Sequence, residues 1–322
     1  MALKFLVVMD DIATINIKKD STLAMMWAIS DKGHLLHYCQ IGDLWLDNGK
    51  LMVDSHAISV NKTTNFYTLS NKTSDDVTAF DVILMRKDPP FTMAFLYALY
   101  LLEFAKRQGV LVVNDPTSVQ NCNEKLFATQ FASLMTPTIV TSKEAHIRAF
   151  IENFSDVIVK PLDGMGGAGI FRLTSDSPNI GATLELLTEF ERLPVMAQQY
   201  LPQIKDGDKR ILIVGGRPVD YCLARIPKTG ETRGNLAAGG RGVAMPLSDT
   251  ERQIAETVAP TLLQKGLWFV GLDVIGDKIT EINVTSPTCI REIDEQCGTS
   301  IAVDFIDFIE SQLKNDKPIK DH

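Results

Sequence analysis

The chain has little of what marks the commonest enzyme chemistries. Its five cysteines (Cys39, Cys122, Cys222, Cys289 and Cys297) are an odd number with no C-x-x-C pair, which argues against both a disulfide framework and a zinc site. The five histidines are His34, His37, His56, His146 and His322. None stands beside a nucleophile-like motif or at ligand spacing, so no Ser/Cys–His relay is indicated. Long apolar runs are missing too: no stretch reaches the roughly 18 residues of a membrane span. The start, MALKFLVVMDD, turns acidic too soon for a signal peptide, so a cytoplasmic location is expected. There is no basic surplus. Forty acidic against 32 basic residues give a net charge of −8, which disfavours nucleic-acid and membrane partners unless the cations converge in a pocket.

What is present is ordinary globular composition, 45% apolar over 322 residues, enough for two or three domains. The first third alternates strand and helix. LKFLVVM reads as a buried strand, and DSTLAMMWAISDKG as a helix capped by Asp20 or Ser21 and stopped at Gly33. HLLHYC and DLWLDNGKLMV supply further strands, FDVILMRK another, and a helix from about Phe91 to Gln108 leads into VLVVN. This is a doubly wound βα pattern. Near Asp115-Pro116 the character changes. Helices are expected at NEKLFATQFAS and KEAHIRAFIENF, then hairpins at KRILIV/RPVDYCLARI and LWFVGLDVIGDKITEIN, with helices from Ser248 and at TSIAVDFIDFIESQLKN.

Residues 157–173 read VIVKPLDGMGGAGIFRL, in which Gly164, Gly166 and Gly169 match the dinucleotide fingerprint G-x-G-x-x-G. That fingerprint needs a helix after the glycines. Here a β-branched and aromatic run follows, so the expected structure is a hairpin whose glycine tip approaches something closely. Lys160 directly follows VIV and precedes a proline; beside N–H groups freed by Gly166 and Gly167 it would make a phosphate cradle.

The hairpin FVGLDVIGDKITEIN offers Asp273, Glu281 and Asn283, hard oxygen donors suited to Mg²⁺ bound with phosphates. Glu281 and Asn283 share a strand face. Whether Asp273 joins them is a question of register: a two-residue turn at Gly276-Asp277 would oppose Asp273 to Thr280, whereas an odd loop would oppose it to Glu281. The metal reading therefore expects an odd loop. Lys125 in NCNEKLFA is a further candidate cation. A glycine-rich stretch from Pro227 to Gly242, with Arg225 just before it and Arg233 and Arg241 inside, has no periodicity and reads as an active-site lid. Arginines there can clamp carboxylate or phosphoryl oxygens. Arg86 ends a strand where open α/β sheets bind ligands.

The segments MDDIATINIKKDST, VILMRKDPPF, NCNEKLFA, VKPLDGMGGAGIFR, IKDGDKR, YCLARIPKTGETRGNLAAGGRG and VGLDVIGDKITEINVTSPTCIREI, in this order, resemble bacterial-type glutathione synthetases of the ATP-grasp superfamily along almost the whole chain. Asp11, where a proline is usual, and the last dozen residues depart from that pattern. The resemblance implies a doubly wound (pre-ATP-grasp) α/β domain over residues 1–122, then an ATP-grasp fold of two α+β units, 123–201 and 202–316, with a tail at 317–322. It implies ATP on Lys125, Lys160, the loop Gly164, Gly166 and Gly167, the segment Gln198, Gln199, Tyr200 and Leu201, and Asp208 for ribose. It assigns two Mg²⁺, with Mn²⁺ possible, to Asp273, Glu281 and Asn283. Arg210, Arg225 and Arg233 would serve the reacting groups, and Arg86, Lys18, Asn235, Ser286 and Pro287 the substrate pocket. The implied reaction joins γ-glutamylcysteine to glycine with ATP cleaved to ADP, in a homotetramer. Another ATP-dependent carboxylate-amine ligase, or a nucleotide-binding protein without activity, are the alternatives.

Overall fold

The computed structural model describes residues 2–315 except 232, 233, 235, 237 and 238. The first region holds strands β1 (Lys4–Val8), β2 (Leu35–Cys39), β3 (Leu44–Asp47), β4 (Lys50–Val60), β5 (Tyr67–Asp76), β6 (Val82–Met85) and β7 (Leu111–Val113), with helices α1 (Ser21–Asp31), α2 (Met93–Arg107) and α3 (Pro116–Asn121). Its sheet runs β3-β4-β2-β1-β6-β7, with β5 on β4. The strands β2, β1, β6 and β7 are parallel. Parallel strands are covered on both faces, which is why KFLVV and VILM are apolar throughout. The antiparallel edge is different: β4 alternates buried and partly exposed residues along most of its length. Asp20 caps α1 by accepting from the Leu23 amide, one of the two expected caps.

The second region is a four-stranded antiparallel sheet, β10-β9-β11-β8. It comprises β8 (Thr138–Thr141), β9 (Asp156–Pro161), β10 (Phe171–Thr174) and β11 (Val195–Gln199), with α4 (Glu144–Phe154) and α5 (Ile180–Thr188) on one face. Ile147, Val157, Val159 and Leu184 form its small separate core. The third is a five-stranded sheet, β14-β13-β12-β15-β16, built from β12 (Asp208–Val214), β13 (Arg217–Ile226), β14 (Arg241–Pro246), β15 (Phe269–Ile275) and β16 (Lys278–Asn283), with α6 (Asp249–Gln264), α7 (Ile290–Cys297) and α8 (Ile301–Asn315).

One buried side chain ties the first sheet to the third. The Asn114 amide donates to the carbonyls of Phe269 and Val284 at 2.8 and 2.7 Å, and its oxygen accepts from the amides of Trp268 and Phe269 at 2.8 and 2.9 Å. All four of its hydrogen-bonding positions are filled. Among the described residues no helix is long and apolar enough to cross a membrane.

Three expectations are corrected. NEKLFATQFAS is not an α-helix but a kinked 3₁₀ segment, Phe127–Leu134. The Asn123 side chain accepts from the amides of Lys125 and Leu126, and such side-chain bonds compete with the helical ladder. The lid stretch ends earlier than Gly242, because Arg241 and Gly242 pair with Ile226 and Arg225 as the start of β14. The polar strands β5 and β8 were not anticipated, since their sequences lack an apolar period.

Candidate active site

The glycine run forms the tip of an antiparallel hairpin, with Phe171 paired to Val159 and Arg172 to Ile158. A strand, not a helix, follows Gly169, so the dinucleotide fingerprint is a coincidence of spacing. Gly166, Gly167 and Gly169 have φ of 63°, 86° and 71°, values that L side chains resist.

Under this tip lies a cleft between the second and third sheets. Lys125, Lys160, Gly164, Gly166, Gly167, Gln198, Gln199, Tyr200, Leu201 and Asp208 all line it. Both lysines are buried. Lys160 Nζ stands 3.2 Å from Glu281 Oε1 and donates to the Thr280 carbonyl at 3.3 Å. Lys125 Nζ donates to the Gly164 carbonyl at 2.8 Å and lies 3.7 Å from the same Glu281 oxygen. Two cations thus converge on one carboxylate. Burial alone would raise the Glu281 carboxyl, but Lys160 and Lys125 outweigh it and hold it below the usual carboxylate range.

A second cleft adjoins the first and shares Gly164, Gly166 and Glu281 with it. Arg210, Arg225, Asp273, Asn283, Ser286 and Pro287 line this one. Sheet register builds it: Arg210 opposes Asp273 across β12 and β15, and Asp273 opposes Glu281 across β15 and β16. Arg210 grips Asp273 with two bonds, Nε–Oδ1 at 2.5 Å and Nη2–Oδ2 at 3.0 Å. Arg225 Nη2 bridges Asp208 Oδ2 at 2.6 Å and Asp273 Oδ2 at 2.9 Å. The Asn283 amide donates to Asp273 Oδ2 at 3.2 Å. Burial pushes the Asp273 carboxyl up, yet the two guanidiniums together drive it well below the ordinary range. For Asp208 burial wins: its carboxyl is pushed up to about 6 despite Arg225. Its Oδ1 is buried with no hydrogen-bond partner among the described residues. Gly271 is required here, because a Cβ would stand 2.8 Å from Arg210 Cδ and 2.9 Å from Pro287 Cβ.

The expected odd loop in the β15–β16 hairpin is absent. Ile275 pairs with Lys278 around the two-residue turn Gly276-Asp277, and a bulge then intervenes before Asp273 meets Glu281. Thr280 is the extra residue, and the bulge does the work assigned to the loop. Asp273, Glu281 and Asn283 consequently share one wall. Among the described residues no three His, Cys, Asp or Glu side chains converge as a metal cluster. The donor set is two ionised carboxylates and an amide, hard oxygens that fit a divalent cation bound jointly with phosphate.

Arg86 and Lys18 do not line either cleft. Arg86 is buried, bonding Thr22 Oγ1 and the Pro287 carbonyl at 3.1 and 2.9 Å, so it braces the wall from behind. Lys18 is exposed. Ser286 donates to Asp88. Pro227 lies just beyond β13, while Arg233 and Asn235 lie outside the described residues. Sequence reasoning missed Glu124, Asp88, Thr285 and Cys289, which also line the second cleft. Glu124 adjoins Lys125 in a segment already singled out, and that adjacency was the available signal.

Known proteins place this architecture. Residues 3–120 match the prokaryotic glutathione synthetase N-terminal domain, and residues 124–298 the prokaryotic glutathione synthetase ATP-grasp domain. Glutathione synthetase of Vibrio parahaemolyticus is 52% identical over 315 residues, 98% of this chain and 100% of that one. That of Escherichia coli K12 is 52% identical over 313 residues, 97% and 99% of the two chains. Among solved structures, the D-cycloserine synthetase DcsG superposes with a TM-score of 0.67 at 15% identity, covering 96% of this chain and 99% of that one. The ATP-grasp ligase PsnB with precursor peptide PsnA2 and AMPPNP gives 0.60 at 17%, covering 97% and 98%. At such identities these two share the fold alone. Matched in both halves, and half identical over nearly its whole length to enzymes of that name, the chain belongs to the prokaryotic glutathione synthetase family.

Proposed function

We propose that this chain makes glutathione by ATP-dependent ligation, joining γ-glutamylcysteine to glycine with release of ADP and phosphate. The observation that carries the reading is the junction of the two clefts at Gly164, Gly166 and Glu281. A nucleotide in the first, its adenine on the main chain of Gln198 to Leu201 and its ribose on Asp208, would present its γ-phosphate at that junction. A dipeptide in the second would bring its carboxylate to Arg210 and Arg225. The carboxylate oxygen then bonds the γ-phosphorus as the bond to the ADP oxygen breaks, giving an acyl phosphate. The glycine amine adds to the acyl carbon, loses its proton, and phosphate departs. No protein nucleophile is needed, and the thiol of Cys289, which lines the second cleft, is raised by burial.

Lys125 and Lys160 hold the phosphates and orient them for in-line attack. Arg210 and Arg225 present fixed positive charge where negative charge develops. Asp273, Glu281 and Asn283 would hold divalent cations, two Mg²⁺ in this reading with Mn²⁺ as a substitute, whose chemistry would be to neutralise charge on the phosphates. In this reading Arg233 and Asn235 serve the reacting groups and the substrate, and the stretch from Pro227 to Gly240 acts as a lid that excludes water from the acyl phosphate. We further assign residues 1–122, 123–201 and 202–316 to three units and the working form to a homotetramer.

The test is ADP release with the dipeptide and glycine each omitted in turn. Full activity needs both. Release that ignores the dipeptide overturns the assignment, and release that needs the dipeptide but accepts other amines better than glycine points to a different carboxylate-amine ligase.

A further inference from the structure

The second sheet has two unlike faces. Val157 and Val159 belong to the small core shared with α4 and α5. Asp156, Ile158 and Lys160 alternate with them along β9 and so lie on the opposite face, where Ile158 and Lys160 line the first cleft. On the edge strand β10, which carries the chain out of the glycine tip, Arg172 is paired with Ile158. Directly opposed residues project to the same side of a sheet. Arg172 therefore emerges on the cleft face, at its rim, although it does not line the cleft.

Its contacts there are specific. The guanidinium grips Asp156 with two bonds, Nε–Oδ1 at 2.9 Å and Nη2–Oδ2 at 2.6 Å, and its carbon stands 3.8 Å from the centroid of the Tyr200 ring. The main chain of Asp156 takes part as well, its carbonyl accepting from the Tyr200 amide at 2.9 Å. One residue thus holds Tyr200 twice, once directly and once through Arg172. Tyr200 is the first residue beyond β11, where the strand ladder no longer fixes the chain, and it lines the cleft together with Gln198, Gln199 and Leu201. The Arg172–Asp156 pair is partly exposed, with 40% and 31% of the side chains accessible. A pair so exposed adds little to stability, whereas a flat guanidinium clamped over an aromatic ring restricts where that ring can go.

We propose that Arg172 is a positioning residue for the nucleotide: held by Asp156, it fixes Tyr200, and with it the wall against which the base rests, without touching the ligand. This rests on the reading of the first cleft as the nucleotide site. It also ties the strand leaving the glycine tip to the base end of the cleft, so that the covering of the phosphates and the seating of the base are mechanically linked.

The experiment measures binding of AMPPNP and of inorganic tripolyphosphate, each with Mg²⁺, to the full-length wild type, Arg172→Ala and Arg172→Lys, with steady-state kinetics alongside. Arg172→Ala is expected to weaken AMPPNP by about three- to tenfold and to raise the KM for ATP by the same factor. Tripolyphosphate affinity, kcat and the KM for γ-glutamylcysteine stay within about twofold. Arg172→Lys keeps the charge but not the flat fork, and recovers only part of the loss. Tyr200→Ala weakens AMPPNP at least as much, and adding Arg172→Ala to it costs nothing further, because the two act as one unit. Unchanged AMPPNP binding in Arg172→Ala overturns the proposal. So does an equal loss for tripolyphosphate, or full recovery by lysine, since either would make Arg172 a charge acting on the phosphates. A merely structural Arg172 would lower the melting temperature and raise both KM values together, which also overturns it. Should Tyr200→Ala not fold, the contrast between AMPPNP and tripolyphosphate in Arg172→Ala decides the matter. A wild type without ATP-dependent ligation fails the nucleotide reading and the proposal with it, a result seen without any variant.

Discussion

The two clefts share a wall and recognise their ligands by different means. On the nucleotide side of the proposed reading, glycines and apolar residues make up much of the lining, with two lysines around Glu281. Facing the acyl cleft, Arg210, Arg225 and Asp273 are locked onto one another, and onto Asp208 of the first cleft, in bonds of 2.5–3.0 Å. A lining with few ion pairs tolerates side-chain change, because little else depends on any one member. An interlocked set of buried charges does not, because removing one member strands the others.

Asp273→Asn should therefore have the largest effect. Two buried guanidiniums lose their common partner, so a loss of about 3–5 kcal/mol in stability accompanies a fall in kcat of roughly 10³ or more. Denaturant titration and steady-state kinetics read the two losses. Retention of a tenth of wild-type kcat would erase the asymmetry between the clefts. Lys160→Met comes next: Glu281 keeps Lys125, so the fold survives, while the KM for ATP rises about tenfold or more and that for the dipeptide stays within about twofold. An equal rise in both would show that the clefts cannot be perturbed separately.

A matched pair of alanines sharpens the contrast further. Gly271→Ala forces a Cβ against Arg210 and Pro287 at under 3 Å, in a strand that cannot yield without moving Asp273. Gly169→Ala strains a φ of 71° and approaches Pro161 at 3.1 Å, but in a loop with room to adjust. We expect kcat to fall by about 10²-fold in the first and the KM for ATP to rise only about three- to tenfold in the second. The reverse order would mean that the hairpin tip, not the charge lattice, is the rigid element.

These differences also explain what could be read from the sequence. The ten nucleotide-side residues form one lining because the segments that supply them carry local signals: a glycine run between two β-branched strands, a lysine after an apolar triplet, and the end of VMAQQYL. The carboxylate wall was legible in its members but not in its geometry. A bulge at Thr280 leaves no signature in KITEIN, since Ile279 and Thr280 suit regular strand as well. Asp88 went unread because nothing local marks an exposed carboxylate as part of a cleft wall. Arg86 misled for the opposite reason: its place at a strand end suits ligand binding, yet in the fold it meets Thr22 and Pro287, residues far away in sequence.

Asp208 sits where the two regimes meet, and the smallest effect belongs to it. It lines the nucleotide cleft, yet its Oδ2 is bonded to Arg225 of the charge lattice. Burial raises its carboxyl from 3.8 to about 6. The native state then binds the proton more tightly than the unfolded chain, so Asp208 contributes most at low pH, and that contribution is lost as pH rises from about 4 to about 6. Asp208→Asn lacks this loss. The melting temperature of the variant minus that of the wild type should increase by a few degrees between pH 4 and pH 7 and level off above that. In the proposed reading bound nucleotide works in the other direction, because a ribose hydroxyl donating to Oδ1, unpartnered among the described residues, would favour the carboxylate. Wild-type affinity for ATP should accordingly rise across the same interval while that of the variant stays flat. A melting difference that is constant with pH would place Asp208 wholly within the charge lattice, its proton governed by Arg225 rather than by burial.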